Sequence, residues 1–186
     1  MLIGTEVSLR PTTIDDAQLL ADWGNDPAYW GPLFNHWPTT RQDLERHITA
    51  PTPPDMRRYI IVGRDTAEPM GTIFYWNPFT FTHVFQGLEI GYAVHPAFRR
   101  RGVARQAACL LVNHLFDATP VARIQATTHV ENEASQGVLE AAGMRREGAY
   151  RKVAFMHGRY VDLYLCAIVR DDWKDEASYR AARRPF

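Results

Sequence analysis

One stretch constrains this chain more than any other: Leu88-Glu-Ile-Gly-Tyr-Ala-Val-His-Pro-Ala-Phe-Arg-Arg-Arg-Gly102-Val-Ala-Arg105. Apolar residues run to Val94, His95-Pro96 ends the run, and a turn rich in arginine and glycine follows. Behind it Val103, Ala104, Ala107, Ala108, Leu111 and Leu115 recur at three- and four-residue steps, the pattern of a long helix with one buried face. A strand, a turn and a helix in that order bring the helix N-terminus close to the strand end. The first backbone N–H groups of a helix lack internal partners, and its dipole places partial positive charge there. Gly102 removes a Cβ from the approach, Ala104 is nearly as small, and Arg99, Arg100, Arg101 and Arg105 add cations. The segment reads as a cradle for a diphosphate. Neither a GxxxxGK[ST] loop nor a GxGxxG fingerprint occurs. The bland alternative is a solvated, arginine-rich turn ahead of a helix.

Composition narrows the partners. With 46% hydrophobic and 23% charged residues, the 186-residue chain can bury one sizeable core. Its 21 basic and 21 acidic residues cancel, which disfavours nucleic acid or anionic lipid as the main partner, although the RRRG patch keeps a nucleic-acid reading as a rival. Cys109 and Cys166 lie inside apolar runs and read as buried thiols in a reducing compartment. The seven histidines are scattered, with no HExxH and no Cys-His cluster, so no metal is expected. Glu6 and Arg10 interrupt the N-terminus too early for a signal-peptide core, and no apolar window reaches about 18 residues. A cytoplasmic protein without a membrane span is the expectation.

Strands are expected at roughly Ile3–Leu9, Tyr59–Val62, Gly71–Trp76, Leu88–Val94, Val121–Val130, Glu147–Phe155 and Tyr160–Val169. Thr12 or Thr13 caps a first helix with Ile14, Ala17, Leu20, Ala21 and Trp23 on one face, stopped by Asn25-Asp26-Pro27. Thr40 with Asp43 opens a second, and Asn132 opens a short one that Gly143 closes. An aromatic loop, Tyr29 to Pro38, lies between the first two helices. These pieces read as one α/β domain over 1–186, with a mixed, mostly antiparallel sheet, a core at about 8–170 and a polar tail at 171–186.

Arg99-Arg100-Arg101-Gly102-Val103-Ala104 resembles the (Gln/Arg)-x-x-Gly-x-(Gly/Ala) signature of the GNAT superfamily of N-acetyltransferases. Leu9-Arg10-Pro11, Asp16, Leu20, Trp23 and Asp26-Pro27 are similar to the opening of its branch of ribosomal-protein N-terminal acetyltransferases. Glu89-Ile90-Gly91-Tyr92 with His95-Pro96, then Asn132, Ser135, Gly143-Met144 and Gly158 to Tyr164, continue that likeness in order. The resemblance implies a twisted mixed sheet with splayed central strands and flanking helices. It implies acetyl transfer from acetyl-CoA to an amine by direct attack in a ternary complex. Backbone N–H groups from Gly102 to Ala104 would hold the CoA diphosphate beside Arg99, Arg100 and Arg101. Backbone groups of Tyr92, Ala93 and Val94 would bracket the pantetheine and polarise the acetyl carbonyl, with Asn132 supporting the cofactor.

Transfer to an amine needs a proton acceptor, and the leaving thiolate is helped by a donor. Glu89 is a solitary charge in an apolar strand, where burial raises a carboxyl's pKa, and is the candidate base; its alternative role is to pair with an arginine or to cap a strand edge. The position seven residues after Asn132, where many members carry a tyrosine, is Leu139 here and cannot donate. Ser135, three residues from Asn132 on one helical face, is the candidate substitute, with Tyr150 and Tyr164 next. Asn132 also reads as a helix cap, Ser135 as bonding its own helix, and Asp162 as pairing with Arg151 or Arg159. Trp30, Phe34, Trp37 and Tyr75 are the candidate acceptor wall. The expected activity is an acetyl-CoA-dependent N-acetyltransferase acting on a protein N-terminus or a small amine, as a monomer or homodimer. The rival is a catalytically silent acyl-CoA-binding or sensor domain.

Overall fold

The computed structural model describes residues 1–34, 38–50, 56–78 and 87–175. Its eight strands are β1 (Leu2–Ile3), β2 (Val7–Pro11), β3 (Arg57–Gly63), β4 (Pro69–Trp76), β5 (Gly87–Val94), β6 (Arg123–His129), β7 (Arg145–Met156) and β8 (Arg159–Val169). They form one sheet in the order β1-β2-β3-β4-β5-β6-β8-β7. Every neighbouring pair is antiparallel except β5 and β6, which run parallel. The expected mixed, mostly antiparallel sheet is therefore present.

Side-chain alternation decides what covers each face. Tyr59, Ile61, Ile73, Tyr75, Leu88, Ile90, Ile124 and Ala126 share a core cluster with α4 (Val103–Ala118). That helix buries Val103, Ala107, Ala108, Leu111, Val112, Leu115 and Phe116, so the spacing legible in the sequence is its core stripe. Burying each such Leu or Phe contributes about 1.5–3 kcal/mol. The opposite face carries Ile60, Val62 and Ala93 beneath α1 (Ala17–Asn25), α2 (Pro27–Trp30) and α3 (Arg41–Thr49). Among the described residues, no helix is long and apolar enough to cross a membrane.

Local chemistry explains the boundaries. Thr40 and Asp43 form a reciprocal capping box that starts α3, as their spacing predicts. Asp26 both ends α1 and caps α2 by accepting from Ala28 N at 2.8 Å, so the expected aromatic loop begins as a helical turn containing Tyr29 and Trp30. The first expected strand is broken. Gly4 N donates to Val7 O at 2.9 Å, folding Leu2–Ile3 back onto Val7–Pro11. Ile14 lies in a 3-10 turn and is 48% exposed, because a three-residue period carries it off the α1 stripe. At the other end α6 (Arg170–Asp175) is anchored by Arg170, whose guanidinium donates to the carbonyls of Phe116, Thr119 and Val121.

Candidate functional site

The site begins with a sheet that comes apart. β5 and β6 pair over only three positions, ending at Glu89↔Gln125. Beyond that point β5 continues with β4 to Val94↔Gly71, and β6 continues with β8 to His129↔Leu163. The two strands thus form a fork with Glu89 at its apex. His95 N donates to Met70 O at 2.8 Å, and backbone direction alternates along an antiparallel ladder. Ala93 therefore turns its backbone groups toward β4, whereas Tyr92 and Val94 turn theirs into the open gap. The Val94 carbonyl is met there by Arg99 Nε at 3.0 Å, and Ala93 faces away from the gap. Its carbonyl accepts from the Tyr29 hydroxyl at 3.3 Å and its side chain packs under the helices.

The open strand leads to the loop that starts α4. Arg100 has φ 63° and Gly102 has φ 77°, two left-handed residues that turn the chain sharply into the helix. Gly102 is the N-cap and supplies no side-chain acceptor, so the first N–H groups, at Val103 and Ala104, face outward from the helix end. Glycine is required here by conformation rather than by space, because an added Cβ would meet only Gln106 Nε2, at 3.8 Å. Backbone donors, a positive dipole and exposed Arg100 and Arg101 fit a diphosphate.

Arg99 needs a correction. Its Nε donates to Val94 O at 3.0 Å, and its Nη2 donates to the carbonyls of Ala28 and Tyr29 at 2.8 and 2.7 Å. Its backbone N–H goes to Pro96 O at 3.2 Å. Arg99 is a clamp between the end of β5 and α2 rather than a phosphate ligand. Arg101 lies over Phe98, 5.8 Å from the ring centroid.

At the apex, Glu89 is 8% exposed, with Oε2 accepting from Gln125 Nε2 and Oε1 from Thr127 Oγ1, both at 3.1 Å. The expected pairing with an arginine is not what holds it; two neutral donors from β6 do. Each oxygen retains a lone pair beyond these bonds. On the other face the Tyr92 hydroxyl meets Ser135 Oγ at 2.9 Å and donates to Ser135 O at 3.3 Å, tying β5 to α5 (Glu133–Ala141) across the fork. Burial pushes the Tyr92 phenol up to about 12, opposed by its bond to Ser135. Asn132 caps α5, its Oδ1 accepting from Ser135 N at 3.1 Å. Ser135 is thus engaged with Tyr92 rather than with its own helix.

The fallback tyrosines stand elsewhere. Tyr150 is 41% exposed on the edge strand β7, and the Tyr164 ring lies 4.6 Å from the Arg146 guanidinium. Asp162 pairs with neither arginine; its Oδ1 accepts from Lys152 N at 2.8 Å, where Lys152 adopts φ 52°. Thr128 Oγ1, on β6 beyond the fork, is the one buried side-chain polar atom without a partner among the described residues.

The expected acceptor wall is largely reassigned. Tyr75 belongs to the α4-side core, on the sheet face opposite to Glu89. Trp30 donates its Nε1–H to Gly24 O at 2.9 Å and packs against the helical cluster. Phe34 is 38% exposed, and Trp37 lies outside the described residues. The aromatics beside Glu89 are Phe74 and Trp76, which share its face and stack at 5.5 Å. Alternation within the strand Gly71–Trp76, counted from Glu89's partner, is the sequence signal that could have found them. Among the described residues, no cluster of three or more His, Cys, Asp or Glu could hold a metal.

A forked sheet, a left-handed glycine at a helix start and a carboxylate at the fork define a family. The GNAT acetyltransferase domain model matches residues 6–145, and the chain belongs to that family and is an N-acetyltransferase. It is 28% identical over 134 residues to the uncharacterized N-acetyltransferase YnaD of Bacillus subtilis, spanning 72% of this chain and 76% of that protein. Ribosomal-protein-S5-alanine acetyltransferase from Vibrio fischeri superposes with a TM-score of 0.78 at 23% identity, over 92% of this chain and 97% of that one. Spermidine N-acetyltransferase from Vibrio cholerae, in complex with CoA and spermine, gives 0.77 at 18%, over 92% and 99%. At these identities the two structures testify to a shared fold.

Proposed function

We propose that the chain transfers an acetyl group from acetyl-CoA to a primary amine by direct attack within a ternary complex. The observation that carries this reading is the fork itself, where β5 leaves β6 beyond Glu89 and runs past Tyr92 and Val94 from a buried carboxylate to a cationic helix start. The diphosphate would be held by N–H groups from Gly102 to Ala104 with Arg100 and Arg101, and the pantetheine would lie along the open edge. The orphaned Thr128 hydroxyl is a further donor on the β6 side. A Val94 N–H aimed into the gap would stabilise negative charge on the acetyl oxygen as the amine adds.

Glu89 takes the proton that the amine loses, directly or through one water, while the new C–N bond forms and the C–S bond breaks. The departing sulfur collects a proton from the Tyr92–Ser135 pair. Tyr92 is the better donor of the two, since a phenol is more acidic than an aliphatic hydroxyl and this one remains protonated at neutral pH. Ser135 orients it. This revises the role expected for Ser135 from the sequence, which left Tyr92 with backbone duties alone.

Release of free thiol from acetyl-CoA, followed across a panel of amines and N-terminal peptides, tests the reading. At least one acceptor should give turnover that saturates in both substrates. Binding of acetyl-CoA with no thiol release from any amine would overturn it.

A further inference from the structure

The face of the sheet beside Glu89 has a polarity that neither the fork nor the cofactor cradle requires. Arg58 on β3, Phe74 on β4 and Gly91 on β5 are successive cross-strand partners, so they share one face. One step along, Trp76, Glu89 and Gln125 do the same. Phe74 and Trp76 stack with centroids 5.5 Å apart at 27°. The Arg58 guanidinium carbon lies 5.6 Å from the Phe74 centroid. Gly91 lets that ring lie over β5, because an added Cβ would come within 2.7 Å of Phe74 Cζ. The result is an aromatic floor with a guanidinium at one end and a carboxylate at the other.

Both charges lack an ionic partner among the described residues. Arg10, Arg41, Arg46, Arg123, Arg145 and Arg159 each meet a carboxylate, whereas Arg58 meets only the ring. A guanidinium stacked on an aromatic face keeps its edge donors free for a planar anion. Crowding by its surroundings lowers the Arg58 pKa from the ordinary arginine value, partly opposed by Tyr29, yet arginine stays cationic in proteins.

We propose that the acceptor is a peptide N-terminus with an acidic side chain at its second or third residue, its amine at Glu89 and its carboxylate at Arg58. The proposal rests on the acetyl-transfer reading above. Spacing selects the peptide. Arg58 and Glu89 stand two strands apart, about 10 Å, and two residues out of line, about 7 Å. The carboxylate of a free α-amino acid is only about 3 Å from its own nitrogen and cannot reach both. An acidic side chain one or two residues on can, with the intervening chain over Phe74 and Trp76. A polyamine fits poorly, because its far ammonium would meet the guanidinium.

The test compares peptide amides Ser-Glu-Ala-Ala, Ser-Gln-Ala-Ala and Ser-Lys-Ala-Ala, plus spermidine, by thiol release and by calorimetric binding to the protein–CoA complex. The acidic peptide should exceed the Gln peptide about tenfold in kcat/KM, mainly through KM, and more at low salt. Arg58→Gln should bring that ratio near one, Arg58→Lys should keep part of it, and Arg58→Glu should turn it toward the Lys peptide. Unchanged calorimetric CoA affinity certifies that each variant is folded. Turnover without any charge preference, or a preference that survives Arg58→Gln, overturns the inference and leaves the transferase reading standing. Arg58-dependent binding of the acidic peptide with no thiol release from any acceptor does the reverse.

Discussion

The two ends of the open β5 edge solve the same electrostatic problem with different parts of the chain. At the Arg99–Ala104 end the proposed diphosphate would be met by backbone: two left-handed residues and a helix start expose N–H groups, while one of the three adjacent arginines clamps α2. At the Glu89 end the charge belongs to a side chain, and side chains of Gln125 and Thr127 hold it. The difference teaches that a run of like residues is a poor guide to which of them binds. A backbone site tolerates loss of neighbouring side chains but not of its conformation; a side-chain site behaves the other way.

The largest expected effect is at the apex. Glu89→Gln preserves shape and should lower kcat by about 100-fold or more at unchanged acetyl-CoA affinity. Wild-type turnover would make Glu89 a bond between strands and nothing else. Next is the cradle. Gly102→Val places a β-branched residue at φ 77° and blocks close approach, so calorimetry should show acetyl-CoA affinity down by about 10- to 100-fold. Arg100→Ala and Arg101→Ala should each cost about threefold or less. If the arginine variants lose more than the glycine variant, the contrast between backbone and side-chain recognition collapses.

Between the two ends stands the Tyr92–Ser135 pair. Tyr92→Phe should reduce kcat by about 10- to 100-fold at unchanged acetyl-CoA affinity, and Ser135→Ala by less, since Tyr92 keeps its bond to the Ser135 carbonyl. Ser135→Ala exceeding Tyr92→Phe would restore the serine as the principal donor. Arg99→Ala sharpens the comparison from the stability side. Three bonds to carbonyls are lost, so chemical denaturation should register about 1–3 kcal/mol, while Arg100→Ala and Arg101→Ala leave stability unchanged. A further effect appears at high pH. Burial raises Tyr29 and Tyr92 to about 12 in the fold against an ordinary 10.0, so their contribution is complete below pH 10 and is lost as pH rises towards 12. Denaturation midpoints should fall over that window, and less so with Phe at either position.

Much of the fold was legible because it is local. The α4 stripe, the Thr40–Asp43 capping box and the Asn132 cap each depend on residues within a turn or two of one another. Errors arose where a tight turn or a neighbour in space overruled the apolar pattern. Gly4 folding back to Val7 split the first strand, and the three-residue turn at Ile14 rotated an apolar side chain into solvent. Tyr75 was a plausible acceptor residue by type, yet pairing with Ile90 turns it onto the α4 side of the sheet.

Sequence alone determined the order of most strands and helices and the glycine start of α4, because propensity, capping and periodicity act over a few bonds; Glu89 stood out as a solitary charge in an apolar strand, and Ser135 through the family resemblance. Tertiary structure alone decided that β5 leaves β6 at Glu89, that Arg99 reaches Ala28 and Tyr29, that Tyr92 meets Ser135, and that Phe74 and Trp76 lie between Arg58 and the carboxylate. Those are contacts between residues dozens of positions apart. Their partners are chosen by strand register and by which face of the sheet each helix covers, and a one-residue slip in register would exchange every one of them.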